Sequence, residues 1–236
     1  MMHTLHTMVS NTHQLIWEIK MIEVTYIDHM GSDLSVVNAA RVSFGKKSEW
    51  NPDWREHYYK PLLPADSKLI KYLAKHRHMS PFGHCFASFH VKAPIFVARQ
   101  IVKHKFLRWN EISRRYVDDK PEFYEPDEWR GRADDKKQGS AGAVESVPVG
   151  ALKVQGYCLA AYQDLLSSGI CPEQARMVLP QSTMTEWYWS GSLDAFIDMC
   201  NLRCKEDTQY ETRLVADYIR VEMMKLFPVS VEALVQ

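Results

Sequence analysis

The sequence predicts a mixed α+β fold, a single domain in which a mixed or antiparallel sheet packs with several helices. Period-two alternation, typical of strands, and helical apolar spacing both occur along the 236 residues, but without a regular βαβ order. Neither GxGxxG nor GxxxxGKS is present, so a Rossmann or P-loop domain is not expected. No Gly/Ser-rich linker divides the chain, which favours one domain over residues 21–230.

The first elements follow from local patterns. Residues 1–20 show no clear periodicity, and we expect an N-terminal extension with poor order. Ile22, Val24 and Tyr26 alternate with polar residues, and Asp33 is a capping-type residue at a helix start. The patterns predict a strand at 21–27, a helix at 33–43, a polar loop at 46–64, a helix at 65–78 and a strand at 85–92.

Pro94 is well placed as the first residue of the next helix, which we expect to continue to Lys105. In that register Gln100 and His104 lie one turn apart, as do Arg99 and Lys103. Four polar groups would then share adjoining helix faces.

The C-terminal part begins with residues 127–148, which are charged, then small and glycine-containing, and which predict a long surface loop. The later elements are a long amphipathic helix at 151–169 ended by Gly169, a short helix at 173–180 between Pro172 and Pro180, a strand at 182–190, a helix at 193–204 capped by Ser192, and a final helix at about Thr208–Phe227.

Composition excludes several classes of protein. Lys plus Arg and Asp plus Glu both count 29, so no global field attracts nucleic acid or an anionic membrane. No run approaches the ~18 apolar residues of a membrane span, which predicts a soluble protein that is not exported. Five cysteines form no CxxC pair, and their odd number favours reduced thiols and a cytoplasmic location.

One segment concentrates positive charge. Six Lys or Arg and His104 lie between Arg99 and Arg115, against the single acid Glu111, which gives a net +5 over 17 residues. An anion, phosphate above all, fits such a segment, because arginine binds phosphate through two N–H groups. Gln100, Asn110 and Ser113 add groups that can contact a polar ring edge. The alternative is a solvated basic face.

Histidines and cysteines carry weaker signals. Five histidines between His76 and His104 follow no zinc-binding spacing, so no metal site is expected. Cys200 and Cys204 could be redox partners, but they share an apolar helical stripe with Leu193 and Ile197. A role as reduced core residues is therefore favoured.

Arg176 and Arg203 lie on short helices in mainly apolar surroundings. A buried guanidinium is costly without a partner, so each should meet a carboxylate or an anionic ligand. Asp207, one turn beyond Arg203, offers a purely structural ion pair. The residues alone leave both interpretations open.

Six blocks in the same order resemble one known family, the flavin-dependent thymidylate synthases (ThyX). The signature of that family is Arg or Lys, His, Arg or Lys, seven residues, then Ser, which corresponds here to Lys103, His104, Lys105 and Ser113. The blocks are RQIVKHKFLRWNEISRRY (99–116), HRHMSPFGH (76–84), FHVKAPIFVARQ (89–100), EFYEP (122–126), ARMVLP (175–180) and NLR (201–203). The similarity runs from about Ile22 to Phe227.

The resemblance implies a mixed α/β homotetramer whose active sites are built from several subunits, with no nucleic-acid or membrane partner. It also implies conversion of dUMP to dTMP, with 5,10-methylenetetrahydrofolate as carbon donor, FAD as hydride carrier and NADPH as reductant. An enolate develops when uracil C5 is activated, and a cation such as Arg203 against the pyrimidine carbonyl edge would stabilise it.

Residue roles are carried over only from matching positions. The resemblance assigns catalysis to Arg203, Ser113 and His78. It assigns dUMP binding to Gln100, Glu111, Ile112, Ser113, Arg114, Arg115, Arg176 and Arg203. It assigns the flavin and folate region to His78, Ser80, Lys103, His104, Lys105, Phe106, Asp198, Leu202 and Asp207.

Several positions depart from the family pattern. Lys103 and Lys105 replace commoner arginines, which keeps the charge and loses the two-pronged hydrogen bonding. Gly83 stands where many members have Glu. Near FAD, Asn, Arg, Asn and His are replaced by Ser192, Asp194, Asp198 and Asp207.

Three alternatives remain at this stage. Phe106, Trp109 and Tyr116 interleave with the basic segment, as in single-stranded nucleic-acid binders. A thymidylate synthase with a cysteine nucleophile would need a thiol in an electropositive pocket, which no cysteine clearly has. Ser113 could be a nucleophile or a dUMP ligand; a Glu111–Ser113 hydrogen bond could form on an extended loop, but two flanking arginines favour the ligand role.

Overall fold

A computed structural model describes residues 21–52, 61–134 and 139–235, and the predicted N-terminal extension at 1–20 lies outside them. The predicted α+β class is confirmed. The described strands are β1 (Glu23–Met30), β2 (Phe86–Pro94), β3 (Leu107–Glu111) and β4 (Met184–Ser192). The described helices are α1 (Asp33–Arg41), α2 (Pro64–Lys75), α3 (Ile95–Ile101), α4 (Val149–Ser167), α5 (Pro172–Ala175), α6 (Leu193–Arg203), α7 (Tyr210–Leu226) and α8 (Pro228–Leu234). No helix of the described part is long and apolar enough to cross a membrane.

The four strands form one antiparallel sheet in the order β1-β2-β4-β3. Phe86 pairs with Ser192, and Leu107 pairs with the adjacent Gly191, so β2 and β3 begin where β4 ends. We call this end of the strands, where α6 starts, the α6 end of the sheet. At the opposite end of the strands, Pro94 pairs with Met184 and α3 starts. We call this the α3 end.

The core lies between the sheet and helices α6, α7 and α8. Alternate residues of β2 are buried, as expected for a strand that presents one face to helices. Phe196 of α6 packs edge-on against Phe89 and Trp189, with ring centroids 5.2 and 5.5 Å apart. Burial of such a side chain contributes about 1.5–3 kcal/mol, which fixes α6 on the sheet.

Asp33 does not cap its own helix, contrary to the prediction. Ser32 precedes α1, and its N–H donates to Oγ of Ser35 at 3.1 Å. The carboxylate of Asp33 instead accepts hydrogen bonds from the N–H groups of Val229 and Ser230, at 2.9 Å each. Burial raises the pKa of Asp33. A residue of the first helix therefore holds the start of the last one.

The helix predicted from Pro94 to Lys105 is shorter. Pro94 is the last residue of β2, and α3 ends at Ile101. The chain then turns through Phe106, whose φ is +65°, into β3, a strand that was not predicted. Pairing with β4 outweighs local helical preference, because it also packs the half-buried Leu107 and Trp109 against the core. Gln100 and His104 therefore do not share a helix face, and neither do Arg99 and Lys103.

The remaining predicted helices and strands are found with shifted ends, although the helix predicted at 173–180 is only Pro172–Ala175 followed by a 3-10 turn at Arg176–Val178. Residues 53–60 of the loop predicted at 46–64 lie outside the described residues. The sequence missed the break at Phe227, where Pro228 starts α8. Ser192 precedes α6 as predicted, without a side-chain capping bond. The described part of 127–148 lacks helices, as expected of a loop. It is nevertheless bridged, because Arg130 pairs with Ala143.

Candidate active site

Arg203, the last residue of α6, joins α6 to α3 and to the turn that follows α3. Its Nε donates to Nε2 of His104 at 3.0 Å, and its terminal nitrogen donates to the backbone oxygen of Gln100 at 3.1 Å. The guanidinium forms no ion pair with Asp207 or with any other described carboxylate. The structural alternative for Arg203 is therefore wrong, and its positive charge is left for a ligand.

His104 is neutral beside this cation. Burial, followed by the charge of Arg203, lowers the pKa of His104 to about 4. The flanking Lys103 and Lys105 are not among the causes of this lowered pKa. At neutral pH the unprotonated Nε2 accepts the Arg203 hydrogen bond and holds the guanidinium plane.

The side chain of Gln100 is turned toward α7. Its Nε2 donates to Oε1 of Gln209, and its Oε1 accepts from Oγ1 of Thr212 at 3.1 Å. Gln100 therefore reaches Arg203 through its backbone and α7 through its side chain.

The turn after α3 is exposed and positively charged. None of Lys103, Lys105 and Arg108 forms an ion pair with a described residue. The ring of Phe106 is 85% exposed. The turn lies so close to β4 that a Cβ on Gly191 would approach Cδ2 of Leu107 to 2.3 Å. Glycine at that position lets the turn pack against the end of β4.

The turn between α2 and β2 lies at the same end of the sheet. His78 and Ser80 are exposed there, and the rings of Tyr72 and His78 are 6.0 Å apart. Arg77 has a φ of +57° and, with Phe106, makes up the pair of described non-glycine residues with positive φ. Strained backbone of this kind concentrates at functional sites. Phe106 belongs to the predicted flavin and folate region, and Arg77 directly precedes His78 of that region.

These residues fit a flavin nucleotide, which has a planar apolar ring and an anionic pyrophosphate. Phe106 and Leu202, which is 50% exposed, offer apolar surface, while Lys103 and Lys105 offer unpaired charge. Asp198 and Asp207, which the resemblance predicts to lie near the flavin, are exposed carboxylates. Carboxylates suit ribose hydroxyls rather than phosphates.

Two departures from the family pattern are neighbours in space. A Cβ on Gly83 would lie 4.0 Å from Oδ1 of Asp194. That oxygen is buried without a hydrogen-bond partner among the described residues. A glutamate at position 83 would bring a second carboxylate toward Asp194, so the two departures are compatible with each other.

A second cluster lies beyond the other end of β3. The Oγ of Ser113 accepts from the N–H of Arg115 at 3.3 Å, and Arg115 forms an ion pair with Glu173 at 3.1 Å. Arg114 pairs with Asp119 at 3.0 Å. Arg176 is exposed, contrary to the prediction of a buried guanidinium, and its Nε donates to the backbone oxygen of Glu173 at 3.3 Å. The Arg115–Glu173 pair thus brings Arg176 beside the Ser113 turn.

Glu111 forms no hydrogen bond to Ser113, so the contact that an extended loop would allow between them is absent. Its Oε1 accepts from Oγ1 of Thr185 at 2.7 Å, and its Oε2 accepts from Nε1 of Trp109 at 3.1 Å. Ile112 is exposed, and its N–H donates to the backbone oxygen of Glu186 at 2.9 Å. The sheet therefore fixes the entry to the Ser113 turn.

The predicted dUMP residues are not brought together in one chain. Gln100 and Arg203 are joined to each other and to His104, which lies in the turn before β3, whereas Ser113 and its neighbours follow the end of β3. The five residues of β3, at ~3.3 Å each, span roughly 15 Å between the turn that contains His104 and the turn of Ser113. We call them the Arg203 cluster (Gln100, His104, Arg203) and the Ser113 cluster (Glu111–Arg115, Arg176).

Sequence reasoning missed the groups behind Gln100. Gln209 and Glu211 at the start of α7, with Arg130 and Tyr124, are connected by hydrogen bonds to its side chain. A weak signal existed for Tyr124, which belongs to the EFYEP block. Nothing in the sequence indicated that the 127–148 loop reaches α7.

The cysteines do not form a nucleophilic site. Burial raises the pKa of Cys85 to about 11, and its Sγ donates to the backbone oxygen of Ser32 at 3.3 Å. Cys200 is buried, and contact with Cys204 and burial raise its pKa. Cys85, Cys200 and Cys204 are free thiols, as was predicted for Cys200 and Cys204.

Comparisons with known proteins agree with these findings. Residues 25–229 match the family described as Thy1, thymidylate synthase complementing protein. A flavin-dependent thymidylate synthase of Thermus thermophilus is 41% identical over 209 residues, covering 88% of this chain and 73% of that protein. One of Thermosipho africanus is 38% identical over 202 residues, covering 80% of each. The crystal structure of the UMP/dUMP methylase PolB from Streptomyces cacaoi with 5-Br dUMP superposes with a TM-score of 0.76 at 33% identity, covering 90% of this chain and 94% of that one.

Proposed function

The chain belongs to the Thy1 family of flavin-dependent thymidylate synthases, and we propose that its Arg203 and Ser113 clusters together bind dUMP for reductive methylation. The enzyme is flavin-dependent, and the reaction consumes dUMP, 5,10-methylenetetrahydrofolate, NADPH and a proton and yields dTMP, tetrahydrofolate and NADP⁺. The observation that carries the proposal is the Arg203 guanidinium, held by His104 and Gln100 without a described carboxylate partner.

The two clusters suit the two ends of dUMP. In the Ser113 cluster, Arg114 and Arg115 already have carboxylate partners, while Arg176 has none among the described residues. Exposed Arg176, the Ser113 hydroxyl and the N–H groups of the turn therefore suit the phosphate. In the Arg203 cluster, the guanidinium and Gln100 suit the polar edge of the pyrimidine. PolB, a similar structure, was solved with 5-Br dUMP and with 5-Br UMP.

Arg203 acts on the uracil ring as a fixed positive charge. Negative charge develops on a pyrimidine carbonyl oxygen when C5 becomes nucleophilic, and a guanidinium already in place stabilises it without reorganisation. His104, being neutral, fixes Arg203 without adding a competing positive charge. Catalytic roles are proposed for Arg203, for Ser113 as a ligand that orients dUMP, and for His78 beside the folate.

The exposed groups of the α6 end would hold FAD. Lys103 and Lys105 offset the pyrophosphate charge, Phe106 and Leu202 contact the ring system, and Ser80, Asp198 and Asp207 bind polar groups. His104 would contribute only through its Nδ1, because its Nε2 accepts from Arg203. Bound FAD supplies the hydride that completes the methyl group, after reduction by NADPH.

We propose a homotetramer with shared sites, and the position of the two clusters on opposite sides of β3 supports it. A second copy of the chain can bring its Ser113 cluster to the Arg203 cluster of the first, as symmetric assembly allows. The helix α4 favours such contacts, because Val149, Val154 and Tyr157 are exposed along it. Exposed apolar side chains in one region mark an interaction surface.

The single-stranded nucleic-acid alternative is not supported by the comparisons or by the rings themselves. Trp109 stacks on buried Trp187, with centroids 4.4 Å apart, and so does not form an exposed platform with Phe106 and Tyr116. Five reduced cysteines are compatible with a cytoplasmic location, which we propose for this enzyme.

The function is tested by an anaerobic assay of the purified protein with added FAD. The expected result is a bound-flavin absorbance spectrum that NADPH bleaches, followed by dTMP formation when dUMP and 5,10-methylenetetrahydrofolate are supplied. Absence of flavin binding at micromolar FAD, or NADPH oxidation without any dTMP, would contradict the proposal. An Arg220→Ala variant, changed in a surface ion pair, serves as the positive control.

A further inference from the structure

A buried carboxylate lies behind Gln100. Glu211, in the first turn of α7, is only 4% exposed and accepts hydrogen bonds from three side chains. Arg130 and the hydroxyl of Tyr124, at 3.4 Å, donate to its Oε1, and Nε2 of Gln209 donates to its Oε2 at 3.2 Å. The proposed dUMP and flavin contacts do not use this carboxylate.

The direction of the hydrogen bonds from Glu211 to Gln100 is fixed. Because Glu211 pairs with Arg130 as a carboxylate and can only accept, Gln209 must turn its amide nitrogen to it and its oxygen to Gln100. Gln100 then turns its own nitrogen to Gln209 and its oxygen to the hydroxyl of Thr212. The carboxylate at position 211 therefore determines the orientation of both amides.

Arg130 connects Glu211 to a small hairpin whose described residues are 129–134 and 139–144. The N–H of Gly131 donates to the oxygen of Gly142 at 2.9 Å, and the N–H of Val144 donates to the oxygen of Trp129 at 2.8 Å. The hairpin also contacts the segment before α7. Gly139 has a φ of +86°, and a Cβ there would lie 3.0 Å from the backbone oxygen of Asp207.

We propose that Glu211 is a positioning residue for dUMP binding, which orients Gln100 through Gln209 and ties the 129–144 hairpin to the same site through Arg130. The inference rests on the proposed role of Gln100 in the dUMP site. Loss of the carboxylate leaves the guanidinium of Arg130, which is only 19% exposed, without its partner. It also lets the amides of Gln209 and Gln100 turn over, because a neutral amide at 211 can donate as well as accept.

Coupling between Gln100 and the hairpin is reciprocal. If hairpin docking favours the orientation of Gln100 that binds dUMP, then dUMP must stabilise hairpin docking by the same factor. Backbone amides of Gly131 and Val144 report that docking, since both donate within the hairpin. Their hydrogen exchange is expected to slow when dUMP binds.

Three variants of the FAD-loaded enzyme separate the effect of the Glu211 charge from the effect of the Gln209–Gln100 hydrogen bond. Glu211→Gln removes the charge, Gln209→Ala breaks the link to Gln100 while keeping the Arg130 pair, and Arg132→Ala removes an exposed charge in the same hairpin. Glu211→Gln and Gln209→Ala are each expected to raise the Kd for dUMP by about 3- to 10-fold, the effect of one hydrogen bond. In both, kcat at saturating dUMP stays within about twofold, because binding and not chemistry is changed. Arg132→Ala leaves Kd unchanged.

Hydrogen exchange distinguishes positioning from general destabilisation. Glu211→Gln is expected to speed exchange of the hairpin amides and to abolish their protection by dUMP, whereas Gln209→Ala keeps the basal exchange of the hairpin. The inference is overturned if both variants bind dUMP like the wild type, or if kcat and affinity fall only in proportion to the unfolded fraction. If Glu211→Gln does not fold, Gln209→Ala decides the question. Failure of the wild type to bind dUMP would instead contradict the proposed function.

Discussion

Nε of Arg203 donates a hydrogen bond to Nε2 of His104 at 3.0 Å, although the two residues lie 99 positions apart in the chain. The geometry requires a neutral imidazole, which agrees with the lowered pKa of His104. The pair joins the end of α6 to the turn before β3. The guanidinium of Arg203 is thereby held beside the turn that carries the exposed Lys103 and Lys105.

The neutrality of His104 predicts an acid-sensitive contribution to folding. Its pKa, about 4 in the folded chain, lies below the ordinary value of ~6.5, so the unfolded chain binds the proton more tightly. The stabilisation that the folded chain gains from neutral His104 is complete above about pH 6.5 and is lost as the pH falls toward 4. His104→Gln should therefore flatten the decline of unfolding free energy between pH 6.5 and 4.5, measured by urea denaturation at fixed protein concentration. Exposed His84 changed to Gln is the control, and equal slopes in wild type and His104→Gln would contradict the assignment.

Arg203→Ala is expected to weaken dUMP binding by about 10- to 100-fold, because a charge-assisted contact is lost. Turnover at saturating dUMP should fall as well, since the guanidinium also stabilises charge that develops on the ring. Titration calorimetry and steady-state dTMP formation measure the two effects. Arg220→Ala, which removes a half-exposed guanidinium from α7, should leave both near wild type. Equal dUMP affinity in the two variants would remove Arg203 from the site.

Ser113→Ala is expected to lower dUMP affinity and to leave measurable dTMP formation at saturating dUMP. The hydroxyl accepts from the N–H of Arg115, and no described histidine or carboxylate contacts it as a base. A serine without such a base is a weak nucleophile. Steady-state kinetics over a range of dUMP concentrations provide the measurement. Complete loss of turnover with FAD and dUMP still bound, together with a trapped Ser113–uracil adduct in the wild type, would make Ser113 the nucleophile.

Phe106 should contribute to flavin binding at a cost in stability. A left-handed backbone costs a non-glycine residue about 1 kcal/mol, and the ring is too exposed to offset it by packing. Phe106→Gly is therefore expected to be more stable than Phe106→Ala in denaturant titrations, because it relieves the strain. Both variants should bind FAD more weakly than the wild type, as judged by flavin retention on gel filtration. Full retention of FAD in both would exclude the ring from the flavin site.

The sequence was sufficient to predict most of the helices and strands that have a local pattern of apolar residues. The strand at 182–190, predicted from its strand-prone residues, and the helix at 193–204, predicted from its apolar stripe, were confirmed with small shifts at their ends. It was insufficient at β3, where pairing with β4 overrides the helical preference of the residues after Ile101. Strand pairing between distant segments is not encoded in local spacing.

The candidate site was likewise predicted only in part, because local sequence identifies residues but not where the fold places them. The family blocks pointed to Arg203 and Ser113 as site residues, but not to the strand β3 that lies between the turn bound by Arg203 and the turn of Ser113. Arg176 was expected to be buried because its neighbours in sequence are apolar, yet those neighbours, Met177 and Val178, are themselves exposed. Burial depends on how α5 packs, and residues left open in one chain can be covered in an assembly.

The proposal that each site takes its two clusters from different subunits is tested most directly by complementation. Arg203→Ala and Arg176→Ala chains, each carrying a different tag, are co-expressed, and oligomers that contain both tags are purified. Each parent should form little dTMP at subsaturating dUMP. Random pairing of clusters leaves about a quarter of the sites with both arginines intact, so the mixed oligomers are expected to recover up to about a quarter of wild-type activity. Mixed oligomers no more active than their parents would show that the two clusters act within one chain.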